Sequence, residues 1–213
     1  MPCILKIDPE KPDAAAIEEA IRILKAGGVI AYPTETFYGL GGDARNEEAV
    51  EKIYRIKGRS FTSPLSVIVG TVDGALSLVQ EITSPGCRLI EKFWPGPLTL
   101  VFHAAAAVSP RLTAHTGKIG IRMSSHPLAA LIAGRLSGPV TATSANLSGG
   151  KECLSADDVV RCLGDRPDAV IDAGPAAGGK GSTILDLTVH PPTLLREGII
   201  PFADIKTVLH GGE

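Results

Sequence analysis

The chain has 213 residues, of which 44% are hydrophobic and 21% charged, with a formal net charge of −2 at pH 7. This length suits one sizeable domain with its own core, and the composition excludes a disordered or fibrous chain. The near-neutral charge excludes a global pull toward nucleic acid, so any RNA contact needs a local basic patch. The four cysteines, Cys3, Cys87, Cys153 and Cys162, are scattered with no C-x-x-C pair, which reads as reduced thiols in place of a disulfide framework or zinc site. Nothing approaches a transmembrane span, and the chain starts directly into Ile4-Leu5-Lys6-Ile7 with no signal-peptide pattern. A cytoplasmic protein with no membrane contact is expected.

In chain order, Ile17, Ala20, Ile21 and Leu24 share one face of a helix predicted over Ala14–Ala26 and closed by Gly27-Gly28. A strand follows at Val29–Tyr32. Pro33 removes a backbone donor, and Gly39, Gly41 and Gly42 permit positive φ, so the sheet is expected to end here. Thr34, Glu35 and Thr36 then stand at a strand end, where α/β folds commonly bind ligands. Asn46 caps a second helix, with Glu47 and Glu48 in its first turn and Ala49, Val50, Ile53 and Tyr54 on its buried side; it runs out at Lys57-Gly58-Arg59. Next come a strand at Leu65–Val69, a short helix at Ala75–Val79, a helix at Pro85–Phe93 and a strand at Leu98–Phe102. A loop over Ala104–Gly117 leads to a strand at Lys118–Met123, then a helix over His126–Leu136 with Pro127 in its first turn. The strand Val140–Thr143 opens into Ser144-Ala145-Asn146-Leu147-Ser148-Gly149-Gly150, and Ser155-x-x-Asp158 is a capping box for a helix to about Cys162. Strands at Ala169–Asp172, Ser182–Leu187 and Thr193–Arg196 precede a last helix over Phe202–Leu209. Strands and helices interleave without repeats or a long linker. The prediction is a single α/β domain over 1–213, a twisted mixed β-sheet flanked by helices, with no extra C-terminal domain.

Several stretches carry chemistry. Gly174 to Gly181 nearly spells a phosphate-binding P-loop, but Gly181 stands where Ser or Thr must follow Lys180, and a β-branched strand follows where a helix is needed. A P-loop ATPase is therefore rejected. Lys57 and Arg59, two apart at a helix exit, suit the helix dipole as surface charges; they equally suit a cationic clamp on a nucleotide triphosphate. Thr143-Ser144-Ala145-Asn146 projects hydroxyls and an amide where the backbone turns, although Ser and Asn also make turns unaided. Arg122, flanked by Ile121 and Met123, can grip a carboxylate in a two-pronged geometry that lysine cannot copy. The five histidines, His103, His115, His126, His190 and His210, form no metal-spaced pair and read as structural or surface residues, so no protein metal site is expected.

These pieces fall into one pattern. Pro33-Thr34-Glu35-Thr36-Phe37-Tyr38-Gly39-Leu40-Gly41 resembles the signature of the YrdC-like family, the threonylcarbamoyl-adenylate synthases of tRNA modification. Matching pieces follow in the family's order: Lys57-Gly58-Arg59, Pro64-Leu65-Ser66, Trp94 to Thr99, Ile121-Arg122-Met123, Thr143 to Gly149, Ser182-Thr183-Ile184 and Leu195-Arg196-Glu197-Gly198. The resemblance runs from about Ile17 to Phe202. Three departures stand out: Ser63 before Pro64-Leu65, Ile68 where many relatives have histidine, and Lys151-Glu152-Cys153-Leu154-Ser155 in place of a proline-rich segment.

The resemblance implies a YrdC/RibB-like fold and the formation of threonylcarbamoyl-AMP and pyrophosphate from L-threonine, bicarbonate or CO₂, and ATP, with Mg²⁺ on the ATP. It assigns Lys57, Arg59, Thr113, Ser144, Asn146 and Arg196 to ATP, with Lys57 and Arg59 as the catalytic pair. Thr34, Arg122, Thr143 and Ser182 are assigned to threonine. The product would pass to the tRNA threonylcarbamoyl transferase machinery acting on adenosine 37 of tRNAs that read ANN codons. Two alternatives stay open: a non-catalytic binder of double-stranded RNA or tRNA, using Lys52, Arg55, Lys57, Arg59 and Arg196, and a paralogue of unknown activity, against which Ser144-Ala145-Asn146 argues.

Overall fold

The computed structural model describes residues 1–210. Among them eleven strands, numbered in chain order, pair into two mixed sheets. The first has the order β1 (Cys3–Lys6), β9 (Ala169–Asp172), β2 (Ile30–Pro33), β3 (Tyr38–Gly41), β8 (Thr143–Ser144). The second has the order β11 (Thr193–Arg196), β10 (Thr183–Asp186), β5 (Leu98–His103), β6 (Lys118–Arg122), β4 (Val67–Ile68), β7 (Val140–Thr141). Seven helices flank them: α1 (Ala14–Lys25), α2 (Glu47–Lys57), α3 (Val72–Leu76), α4 (Ser84–Phe93), α5 (Pro127–Leu136), α6 (Ala156–Leu163) and α7 (Phe202–His210). The expected single α/β domain with mixed β-structure is therefore observed, with its strands shared between two sheets.

β2 shows why the layers form. It pairs with β9 in parallel and β3 antiparallel, and is buried along its length. Side chains alternate across a strand, so Ile30 and Tyr32 enter one core while Val29 and Ala31 enter the other. α1 and α5 cover the first with Ile17, Ile21, Leu24, Leu128 and Ile132. The larger core gathers Val50, Ile53, Leu89, Val159 and Ile205 from four other helices against Leu40, Leu100 and Ile121. Local caps fix the helix ends. The Asn46 side chain accepts from the amides of Glu48 and Ala49, and Ser155 and Asp158 make the expected reciprocal capping box. α2 stops at Gly58 (φ 57°), where the amide of Arg59 reaches back to Tyr54 O at 3.1 Å. That left-handed turn sends Arg59 out of the helix.

Three local expectations are corrected. The sheet does not end at Pro33: the chain returns as β3, antiparallel to β2 with Tyr32 opposite Gly39. Gly41 serves close packing in place of a loop exit, because a Cβ there would lie 2.6 Å from Tyr32 and 2.8 Å from Val140. The short helix starts earlier than Ala75, since the Thr71 hydroxyl caps it by accepting from the amide of Gly74. The strand expected over Val140–Thr143 is two strands in different sheets. Thr141 bonds to Gly42 on one side, the amide of Ala142 bonds to Ser66 O at 2.8 Å, and β8 then joins β3. This changeover makes the seam between the sheets.

Candidate active site

A polar cavity of about 730 Å³ opens at that seam. β3, β8 and the exit of α2 form one wall; β5, β6, β10 and β11 form the other. Nine of the ten expected site residues line it: Thr34, Lys57, Arg59, Arg122, Thr143, Ser144, Asn146, Ser182 and Arg196. Thr113 does not. It is buried, its hydroxyl donates to Pro110 O at 3.2 Å, and it is absent from the lining.

On the first wall Lys57 is only 4% exposed. Its ammonium donates to Ser144 O at 2.6 Å, Asn146 O at 2.9 Å and Asn146 Oδ1 at 3.0 Å. A lysine has three donors, so all are spent on the 144–146 loop. The Ser144 hydroxyl donates to Asn146 Oδ1 at 2.7 Å, and Asn146 Nδ2 donates to Gly150 O at 2.6 Å. The buried thiol of Cys153 donates to Ala145 O at 2.9 Å, and burial pushes that thiol up to about 12. It is an inert brace, not a nucleophile. Burial, and next the charge of Arg59, pull Lys57 down to about 8. Arg59 itself makes one long bond, to Pro64 O at 3.4 Å, and faces the cavity half-buried.

On the second wall Arg122 donates through Nη1 to Glu35 Oε1 at 3.0 Å, and the Ser124 hydroxyl holds the other carboxylate oxygen. Arg196 donates to Ser182 O at 3.0 and 2.8 Å and to Ser182 Oγ at 3.1 Å. Partial burial, then the nearby Arg122, lower the proton affinity of Arg196. Ser182 Oγ also lies 3.0 Å from Thr99 Oγ1. Thr34 Oγ1 donates to Phe37 O at 2.7 Å and meets Thr36 Oγ1 at 3.0 Å. Its hydroxyl therefore shapes the turn that presents Thr36.

Sequence reasoning placed Thr34, Glu35 and Thr36 at a ligand-facing strand end, but it missed the pairing of Glu35 with Arg122 and Ser124 and the lining residues Ser66, Thr99 and Glu152. Glu35, Thr36, Ser66 and Thr99 all sit inside the quoted motifs, so membership of a motif was the available signal. Of the three departures, Ile68 is buried core and lines nothing, whereas Ser63 and Glu152 line the cavity. Of the five cations considered for RNA, Lys57 is buried and Lys52 is paired with Asp168 at 2.7 Å. His126 is structural: its Nδ1 caps α5 by accepting from the amide of Leu128 at 3.3 Å. Ser182 leads directly into the strand β10 and not into a helix, so the glycine segment does not form a P-loop. No helix among the described residues is long and apolar enough to cross a membrane.

Four cations and many Ser/Thr hydroxyls around one cavity suit a polyphosphate together with a small polar substrate. Among the described residues no three His, Cys, Asp or Glu side chains gather into a metal cage, and Glu152 is the only carboxylate residue in the lining. That donor set fits a Mg²⁺ ion held mostly by phosphate and water oxygens, not one caged by protein.

Comparisons with known proteins bear on this cavity. The Sua5/YciO/YrdC family model, described as "Telomere recombination", matches residues 22–198. A threonylcarbamoyl-AMP synthase of Bacillus subtilis is 39% identical over 198 residues, covering 91% of this chain and 56% of the relative. A putative threonylcarbamoyl-AMP synthase of Mycobacterium tuberculosis is 37% identical over 202 residues, covering 95% of this chain and 92% of the relative. The structure of Pyrococcus abyssi Sua5 complexed with L-threonine superposes with a TM-score of 0.94 at 34% identity, covering 97% of this chain and 61% of that one. The chain thus spans less than two thirds of the B. subtilis and P. abyssi proteins.

Proposed function

The chain belongs to the Sua5/YciO/YrdC family, and we propose that it is an L-threonylcarbamoyladenylate synthase, a nucleotidyltransferase using ATP, L-threonine and bicarbonate or CO₂. The observation that carries this reading is the convergence of Lys57, Arg59, Arg122 and Arg196 with a shell of hydroxyls on one cavity, in a chain whose relatives are named threonylcarbamoyl-AMP synthases.

In this proposal the threonine amine takes up CO₂ to give a carbamate. A carbamate oxygen attacks the α-phosphorus of ATP, the bond to the β-phosphate oxygen breaks, and pyrophosphate leaves. The chain supplies position and charge, with no protein nucleophile. Arg122, steadied by Glu35, offers its remaining guanidinium N–H groups to the threonine carboxylate. Thr143 and Ser182, with Thr34 shaping its turn, surround the amino acid. Arg59 and Arg196 face the phosphates, and Lys57 adds positive charge while holding Ser144 and Asn146 at the nucleotide. Mg²⁺ carried by ATP supplies charge neutralisation at the phosphates. Thr113 acts only from behind the lining. The product is passed to the tRNA threonylcarbamoyl transferase machinery for adenosine 37 of tRNAs reading ANN codons, in the cytoplasm.

The test is product identity. Protein incubated with ATP, Mg²⁺, L-threonine and isotope-labelled bicarbonate should yield threonylcarbamoyl-AMP carrying one labelled carbon by mass spectrometry. Folded protein giving no adenylate, or an adenylate without the label, overturns the proposal.

A further inference from the structure

Glu152 is anomalous in this cavity. Among the described residues, Lys57, Arg59, Arg122 and Arg196 give the lining four positive charges, and Glu152 is its only carboxylate residue. Arg122 already has a counter-ion, Glu35, at 3.0 Å. Glu152 has none within ion-pair distance among the described residues, yet it lines the same cavity as Lys57 and Arg196, one on each wall. The backbone beside it is fixed. The amide of Tyr38 donates to Cys153 O at 2.9 Å, and Gly150 O accepts from Asn146 Nδ2 at 2.6 Å. An exposed carboxylate is thus held at the mouth by clamped backbone and is not carried there by a loose loop.

A bare carboxylate facing a polyphosphate repels it, whereas a divalent cation between them converts the repulsion into ligation. Magnesium sites on nucleotides commonly use one or two carboxylates, with phosphate and water oxygens completing the shell. We propose that Glu152 is the protein's ligand, directly or through one water, for the magnesium ion that arrives with ATP. The proposal rests on the reading of the cavity as an ATP site. It makes Glu152 a determinant of magnesium dependence and not of nucleotide affinity as such.

The experiment is calorimetric titration of ATP into the full chain and its Glu152→Gln and Glu152→Asp variants, each with excess Mg²⁺ and with a chelator. Ligand-free unfolding midpoints, expected to match the wild type, confirm the fold. The wild type should bind ATP more tightly with Mg²⁺ than without it. Glu152→Gln should shrink that ratio about 10-fold while leaving metal-free ATP binding unchanged or tighter, and Glu152→Asp should keep most of the ratio. With Mn²⁺ in place of Mg²⁺, the electron paramagnetic resonance spectrum of the nucleotide complex should change in Glu152→Gln. An unchanged ratio and spectrum in Glu152→Gln overturns the proposal. So does equal tightening with and without metal, which would make Glu152 a repulsive charge only. A wild type that binds no ATP under either condition refutes the ATP reading itself, a result distinct from both.

Discussion

The two walls of the cavity carry the same charge in different ways. On the α2 side, Lys57 is buried and gives all three donors to the 144–146 loop. On the opposite side, Arg122 gives one N–H bond to Glu35, and Arg196 shares two nitrogens with Ser182. A guanidinium has five donors in a fixed fork, so both arginines are steadied by the protein and still have donors to offer. Lysine, with fewer donors, has none left. Arg59, two residues from Lys57, has a single long bond and behaves like the far wall. The contrast separates a cation that builds the site from cations that meet the ligand, a division that charge counting does not reveal.

The most severe way to break this contrast is Lys57→Met. Three acceptors, two of them buried, lose a charged partner, which should cost about 3 kcal/mol of stability by denaturant unfolding. It should also reduce ATP turnover by more than 100-fold (about 2.7 kcal/mol). A variant that keeps wild-type stability would show that the lysine does not hold the loop. Arg122→Lys keeps the charge and loses the fork, so the KM for threonine should rise about 10- to 100-fold with the KM for ATP within about 2-fold. Equal changes in both would erase the assignment of Arg122 to threonine.

A smaller effect is expected at Arg59→Ala. ATP binding should weaken about 10-fold, with stability within about 0.5 kcal/mol of wild type. This substitution also sharpens the pH behaviour. Lys57 loses its proton near pH 8, so nucleotide binding should fall above that pH as the loop loses a donor and the cavity a charge. Removing the like charge of Arg59 raises the proton affinity of Lys57 and should move the fall to higher pH. A fall that stays in place assigns it to another group. The smallest effect belongs to Thr113→Val, which lies outside the lining and should leave both KM values within about 2-fold.

Local features of this fold were legible because they depend on neighbours in sequence. The Asn46 cap and the Ser155/Asp158 box are contacts over two to three positions, and they gave the starts of α2 and α6. Nine site positions were legible from motif resemblance, since each motif falls at a strand end or helix exit facing the seam. Distant pairings were not. Glu35 and Arg122 are 87 positions apart, and Thr99 and Ser182 are 83 apart; nothing in either local stretch names its partner. β3 was read as a loop because its glycines suggest positive φ, when the demand is space beside Tyr32 and Val140. The change of sheet at Ala142 was hidden for a related reason: one β-rich run serves two sheets, and only tertiary hydrogen bonds divide it. Motif resemblance found Lys57, but its role as a brace emerged only when its acceptors were counted.

The most direct test of the central claim is pyrophosphate release from ATP and Mg²⁺, with L-threonine and bicarbonate added singly and together. The account predicts sustained release only when both are present, because in the proposed reaction the attacking oxygen belongs to the threonine carbamate. Equal release without threonine, or none under any combination from folded protein, would contradict it.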